Sequence, residues 1–183
     1  MVISEKGMCA AMNAAFKKRS TGYKVAARLT EDGEEEIILS TSGWTAIFTR
    51  QNVPRKVLAL IVEHLGDLPK EGEAYQVKDG DAQAEVFSMA VPDSSEPVAG
   101  AIVKRTQLNY IDYQIWQRTD DHSIYMMPSQ HEDMLDGFKL QVHVAENGMF
   151  YAEGIASRLY IRPLAVQQNE LTALHHLAKL QWV

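Results

Sequence analysis

The stretch Phe138-Lys-Leu-Gln-Val-His-Val-Ala-Glu-Asn-Gly-Met-Phe-Tyr-Ala-Glu-Gly-Ile-Ala-Ser-Arg-Leu-Tyr-Ile161 decides how this chain is read. Asn147-Gly148 supplies the two positive-φ residues of a type I′ turn, and alternating apolar and polar residues flank it. The sequence therefore predicts a long hairpin in which Val144 faces Tyr151, Val142 faces Glu153 and Leu140 faces Ile155. One face then carries Phe138, Leu140, Val142 and Val144 beside Tyr151, Ile155, Leu159 and Ile161, and reads as core. The other carries Lys139, Gln141, His143 and Ala145 beside Ala152, Gly154, Ala156, Arg158 and Tyr160. The run Ala152-x-Gly154-x-Ala156 is small for a strand and lets a helix, a partner or a ligand come close to the sheet. Gln141, His143 and Tyr160 border it and are the candidate binding residues.

Glu153 breaks the pattern, since this register puts it on the apolar face, where a carboxylate is costly unless paired. Three readings stand: an acid with a raised pKa, a bulge at Gly154 that turns it outward, or a place at the sheet rim.

Bulk properties narrow the classes. A chain of 183 residues with formal net charge -6 is long enough for one domain with its own core, and offers no clustered basic surface for nucleic acid. The basic clusters Lys17-Lys18-Arg19 and Lys104-Arg105 are short. Cys9 is the single cysteine, which excludes an intramolecular disulfide and fits a reducing, cytoplasmic setting. No apolar run approaches the ~18 residues of a membrane span, and the apolar stretch from Met8 to Phe16 precedes its cations, unlike an export signal.

Working outward from the hairpin, Ser4 caps a helix over 5–18, whose last turn holds the basic cluster. Strands follow at 23–29 and 37–41, joined across the acidic run Glu31-Asp-Gly-Glu-Glu-Glu36 by a loop of three or five residues. Trp44–Arg50 reads as a third strand. Pro54, an apolar stripe from Val57 to Leu65, and Gly66 mark a helix over 54–66. Residues 1–68 thus read α-β-β-β-α and form a possible subdomain of a single domain spanning 1–183. Further strands are predicted at 75–77, 85–91, 99–104, 108–118 and 124–127, with a loop at 92–97. Ser129-x-x-Glu132 matches a capping box for a short helix ended by Gly137, and a last helix is predicted over 168–181. That last helix is the expected occupant of the small-residue face.

No motif of catalysis stands out: there is no G-x-S-x-G, Walker loop or G-x-G-x-x-G. His131-Glu132-Asp133 are neighbours about 100° apart on a helix and do not make a metal face, and His175-His176 have the same defect. Ser40-Thr-Ser-Gly43 reads as a β-turn, with an anion nest as its functional alternative. Tyr110 and Trp116 lie on the second apolar face of the strand 108–118 and are the candidate interface residues.

The expectation is an α+β fold, with a predominantly antiparallel sheet of seven or more strands and three main helices packed on it. In function it is a non-catalytic cytoplasmic binding or adaptor protein, self-associating as a homodimer, with no metal and no cofactor. The alternative is a small enzyme or ligand-binding protein with a pocket near the small-residue face.

Overall fold

The computed structural model describes residues 2–17, 22–78, 81–84, 100–135, 141–145 and 147–164. The fold is α+β. Among the described residues eleven antiparallel strands form one sheet: β1 (Tyr23–Leu29), β2 (Glu35–Ser40), β3 (Trp44–Thr49), β4 (Ala74–Lys78), β5 (Asp81–Ala84), β6 (Ala101–Tyr110), β7 (Tyr113–Arg118), β8 (Ile124–Pro128), β9 (Val142–Val144), β10 (Phe150–Gly154) and β11 (Ser157–Ile161). Their order is β5-β4-β1-β2-β3-β11-β10-β9-β6-β7-β8, so the C-terminal hairpin sits in the middle and joins the two halves of the chain.

Among the described residues two main helices pack on one face. Helix α1 (Glu5–Phe16) starts where Ser4 accepts a hydrogen bond from the Gly7 amide, as the sequence predicts. It ends at Phe16, so Lys17 lies just past its last turn instead of within it. Helix α2 (Arg55–Leu65) follows Pro54 and stops at Gly66, whose φ of 93° only glycine adopts freely. Met8, Met12, Val57 and Ile61 meet Val25, Ile37, Leu39, Ala46 and Phe48 in one continuous core. The alternate residues Ile38 and Ile47 are buried on the other face with Tyr160. Central strands apolar on both sides are the consequence.

The acidic loop has three residues, closed by Thr30 N–H to the Glu34 carbonyl at 2.9 Å, and Gly33 takes φ 82°. This odd length sets Ala27 opposite Ile37 and Val25 opposite Leu39, which keeps all four on the core face. A two-residue turn would have flipped one strand.

Three predicted elements differ. The strand expected over 108–118 is broken at Ile111-Asp112, where β6 turns into β7 and Tyr110 pairs with Tyr113. A bulge between Arg105 and Asn109 precedes the turn, and buried Gln114 donates to the Thr106 and Leu108 carbonyls that the bulge leaves unpaired. The second arm of the C-terminal hairpin also breaks, at Ile155-Ala156, into β10 and β11. Finally, helix α3 (Ser129–Glu132) is a single turn capped by Pro128 with no side-chain bond; Glu132 pairs with Arg105 at 2.7 Å, so Ser129-x-x-Glu132 is not a capping box. The strand predicted over 85–91, the loop 92–97, Gly137 and the helix over 168–181 lie outside the described residues.

Beyond β11 the chain reaches β8, where Leu164 N–H donates to the Met126 carbonyl at 2.9 Å. The strands from β11 through β8 therefore curl until their ends meet across this bridge.

Candidate binding surface

Gly148 takes φ 79° in the turn, as expected of Asn-Gly, but the loop has one residue more than a type I′ turn. Ala145 N–H donates to the Met149 carbonyl, and Gly148 N–H to the Ala145 carbonyl, both at 2.9 Å. A three-residue loop with glycine in the left-handed position satisfies the same dipeptide. The register shifts by one, so Val144 faces Phe150 and His143 faces Tyr151. Every residue of β10 thereby changes face. Phe150 and Ala152 join Val142, Val144, Leu159 and Ile161 in the core, while Tyr151 packs beside Tyr160 on the opposite face.

The expected small-residue face does not form. Ala152 is buried in the core, Ala156 lies in a turn, and Gly154 abuts Val2, where an added Cβ would stand 2.8 Å from the valine Cγ1. The occupant of that close approach is the lead-in to α1. Glu153 is exposed and pairs in register with Arg158, released from the apolar face by the shifted loop and not by a bulge at Gly154.

The shift creates a different constellation. Tyr160, Tyr151 and His143 sit directly opposite one another on β11, β10 and β9. Their rings stack in sequence, with centroids 6.3 Å apart for the tyrosines and 5.1 Å for Tyr151 and His143. His143 Nδ1 lies 3.3 Å from the Gly100 carbonyl, which fixes the imidazole. Burial pushes both phenols above their ordinary range, so they stay protonated. Gln141 is exposed just before β9. The structure thus brings His143 and Tyr160 together through Tyr151, which the predicted register had placed on the core side.

Beside the ladder, Glu36 is 6% exposed and is held by two guanidiniums, Arg28 Nε at 2.8 Å and Arg158. Ile47 and Ile38 continue the row from Arg158 across β3 and β2. This side of the sheet carries stacked rings beside a carboxylate held by two guanidiniums.

The candidate interface residues part company. Trp116 is buried against Phe150, with ring centroids 5.9 Å apart. Tyr110 is 43% exposed and precedes Ile111, which is 76% exposed and takes φ 55°. A β-branched residue in the left-handed region is strained by roughly 1–2 kcal/mol. Ile155, at the other two-residue turn, is fully exposed.

Several other side chains with chemical potential are engaged within the fold. Tyr23 and His64 hydrogen-bond at 3.0 Å while Phe16 stacks on the imidazole, and burial raises the tyrosine pKa and lowers the histidine's. Burial and Glu5 hold the Cys9 thiol above its usual range, away from the thiolate a nucleophile needs. Thr41 Oγ1 accepts the Gly43 and Trp44 amides at 3.1 and 3.2 Å, so neither is left for an anion nest. Among the described residues no three His, Cys, Asp or Glu side chains group so as to hold a metal ion, and no helix is long and apolar enough to cross a membrane.

No family model and no curated protein matches the chain by sequence. Among the solved structures that it partly matches are two. One is a putative DNA polymerase III beta subunit from Eubacterium rectale, with a TM-score of 0.41 and 7% identity over 88% of this chain and 63% of that one. The other is the DNA polymerase III beta chain from Streptococcus pneumoniae, with a TM-score of 0.37 and 10% identity over 95% of this chain and 68% of that one. The chain thus spans less than two thirds of the first, and function has to be read from its own residues.

Proposed function

We propose that the chain is a non-catalytic cytoplasmic binding or adaptor protein that associates as a homodimer and engages a protein partner through its hairpin tips. One observation carries this reading: Ile111 is held at φ 55° and 76% exposed at a turn that glycine, asparagine or aspartate would form without strain. Backbone strain and solvated apolar surface at one position are both costs to the isolated chain. A surface that receives the side chain gives a reason for them. Tyr110 beside it is of the type enriched at interface hot spots. The lone thiol supports the cytoplasmic setting, and the formal net charge of -6 argues against a nucleic-acid partner.

The test is sedimentation of the wild type and Ile111→Gly at roughly 50 μM, a range that reveals ordinary self-association. A dimer is expected for the wild type. The glycine variant should melt higher, because the strain is gone, yet sediment as a monomer. A wild type that stays monomeric, or a variant that dimerises equally well, would overturn the reading.

A further inference from the structure

Two segments that the sequence leaves apart, the Thr41-Ser42-Gly43 turn and His131, line one cleft of about 210 Å³ with the alanines of α1. Gly43 meets the imidazole edge-on: a Cβ built there would stand 2.8 Å from His131 Cε1, 3.5 Å from Nε2 and 3.7 Å from Nδ1. Any larger residue at position 43 would press on that ring. Ala11 and Ala15 supply an apolar wall, and Ser42 and Gln130 supply polar rims.

The imidazole's hydrogen bonding sets the chemistry. Its Nδ1 is sealed from solvent and has no hydrogen-bond partner among the described residues. An orphaned N–H is rarer and costlier than an orphaned lone pair, so the favoured tautomer leaves Nδ1 bare and carries the proton on Nε2. Protonating the ring would strand a second N–H at Nδ1. Burial disfavours the imidazolium in the same sense. The histidine is therefore a neutral donor through Nε2–H. Among the described residues no Lys, Arg, Asp or Glu lines the cleft, so an ion entering it would lose solvation and meet no counter-charge from them.

The geometry points to a binding site for a small uncharged molecule with one hydrogen-bond acceptor, such as a carbonyl or ring nitrogen, on a compact apolar or aromatic body. The acceptor meets His131 Nε2–H and the body lies on Ala11 and Ala15. The volume suits this class, since a cavity of about 150 Å³ already admits benzene. This site is separate from the hairpin tips and from the aromatic ladder, and its test does not touch self-association.

Benzamide, benzoate and toluene are the probes, matched in shape and differing in charge and acceptor. Each is titrated to roughly 10 mM, the range of weak fragment binding, into the wild-type protein while the NMR signals of the Gly43 amide and the His131 ring are followed. Benzamide is expected to shift both signals saturably, with benzoate and toluene each about tenfold weaker or more. His131→Leu should abolish benzamide binding, and a retained melting curve would show that the variant folds. No saturable shift with benzamide, benzoate binding as tightly as benzamide, or a folded His131→Leu that binds unchanged would each overturn the proposal.

Discussion

Glu36 shows how much one residue carries. It is nearly sealed on the sheet face away from the main helices, and its carboxylate serves both Arg28 and Arg158. Glu36→Gln leaves two guanidiniums close together with a neutral amide between them. The expected loss, read by urea denaturation, is on the order of 3 kcal/mol, as when a buried pair loses one partner. A change under about 1 kcal/mol, typical of solvated pairs, would mean that water already screens the group. Gly148 gives a cleaner case, because an added Cβ there meets nothing within 4 Å and φ is 79°. Gly148→Ala should cost roughly 1–2 kcal/mol from backbone conformation alone. His64 links the fold to pH. Burial lowers its pKa below the ordinary 6.5, with Glu63 acting weakly the other way. As pH falls through 6.5 the unfolded chain takes up a proton that native His64 resists, so stability falls with pH below that value. His131 is also lowered by burial and adds in the same direction. Melting points measured from about pH 7.5 to 5.5 should decline in the wild type and decline less in His64→Gln, which keeps the His131 contribution but loses that of His64. An identical slope in the variant would remove His64 from the account.

At the scale of elements, the junction of α1 with α3 depends on an atom that Gly7 lacks. A Cβ at Gly7 would lie 1.7 Å from the Asp133 carbonyl oxygen, a backbone atom that cannot swing aside. The same seam holds the Ser4 N–H to Met134 carbonyl bond at 2.8 Å and the bridge from Ile3 to Leu135. Gly7→Ala improves helix propensity by about 1 kcal/mol in isolation, yet is expected to destabilise the protein by roughly 1–3 kcal/mol through overpacking. A higher melting point for the alanine variant would show that the two elements part easily. Hairpin turns teach the companion lesson. Asn147-Gly148 announces its turn, whereas Ile111-Asp112 and Ile155-Ala156 do not, and a reader guided by turn residues passes through both. The predicted strand 108–118 and the second arm of the predicted 138–161 hairpin fused two strands each for that reason.

For the molecule as a whole, strand order sets the folding problem. β3 pairs with β11, with Trp44 opposite Ile161 and Phe48 opposite Ser157, so the centre of the sheet joins residues more than a hundred positions apart. Loop closure over such spans precedes any return from the contacts, and topologies of this kind fold on the order of milliseconds to seconds. Stopped-flow refolding followed by tryptophan fluorescence should fall in that range. A phase complete within microseconds would contradict the central placement of β11.

Local chemistry legible in the sequence set the kinds of element and most of their places: Ser4 and Gly66 bound their helices, and the apolar residues at 37–39 and 46–48 marked strands. It also found the turn at Gly148 and the odd-length loop before β2, because covalent geometry and side-chain period act over a few residues. The candidate surface was legible only in part. His143 and Tyr160 share a face in either register, but Tyr151 was assigned to the core, since a loop of two or three residues fits Asn-Gly equally well and the choice flips a whole strand. Packing made that choice, by burying Phe150 and Ala152 and leaving Glu153 to water. Tertiary structure alone also decided that Val2 seats on Gly154, that Glu36 gathers two arginines, and that the Ser42 turn meets His131. Each joins segments far apart in the chain, and nothing in a local pattern records which distant side chain will fill the space beside it.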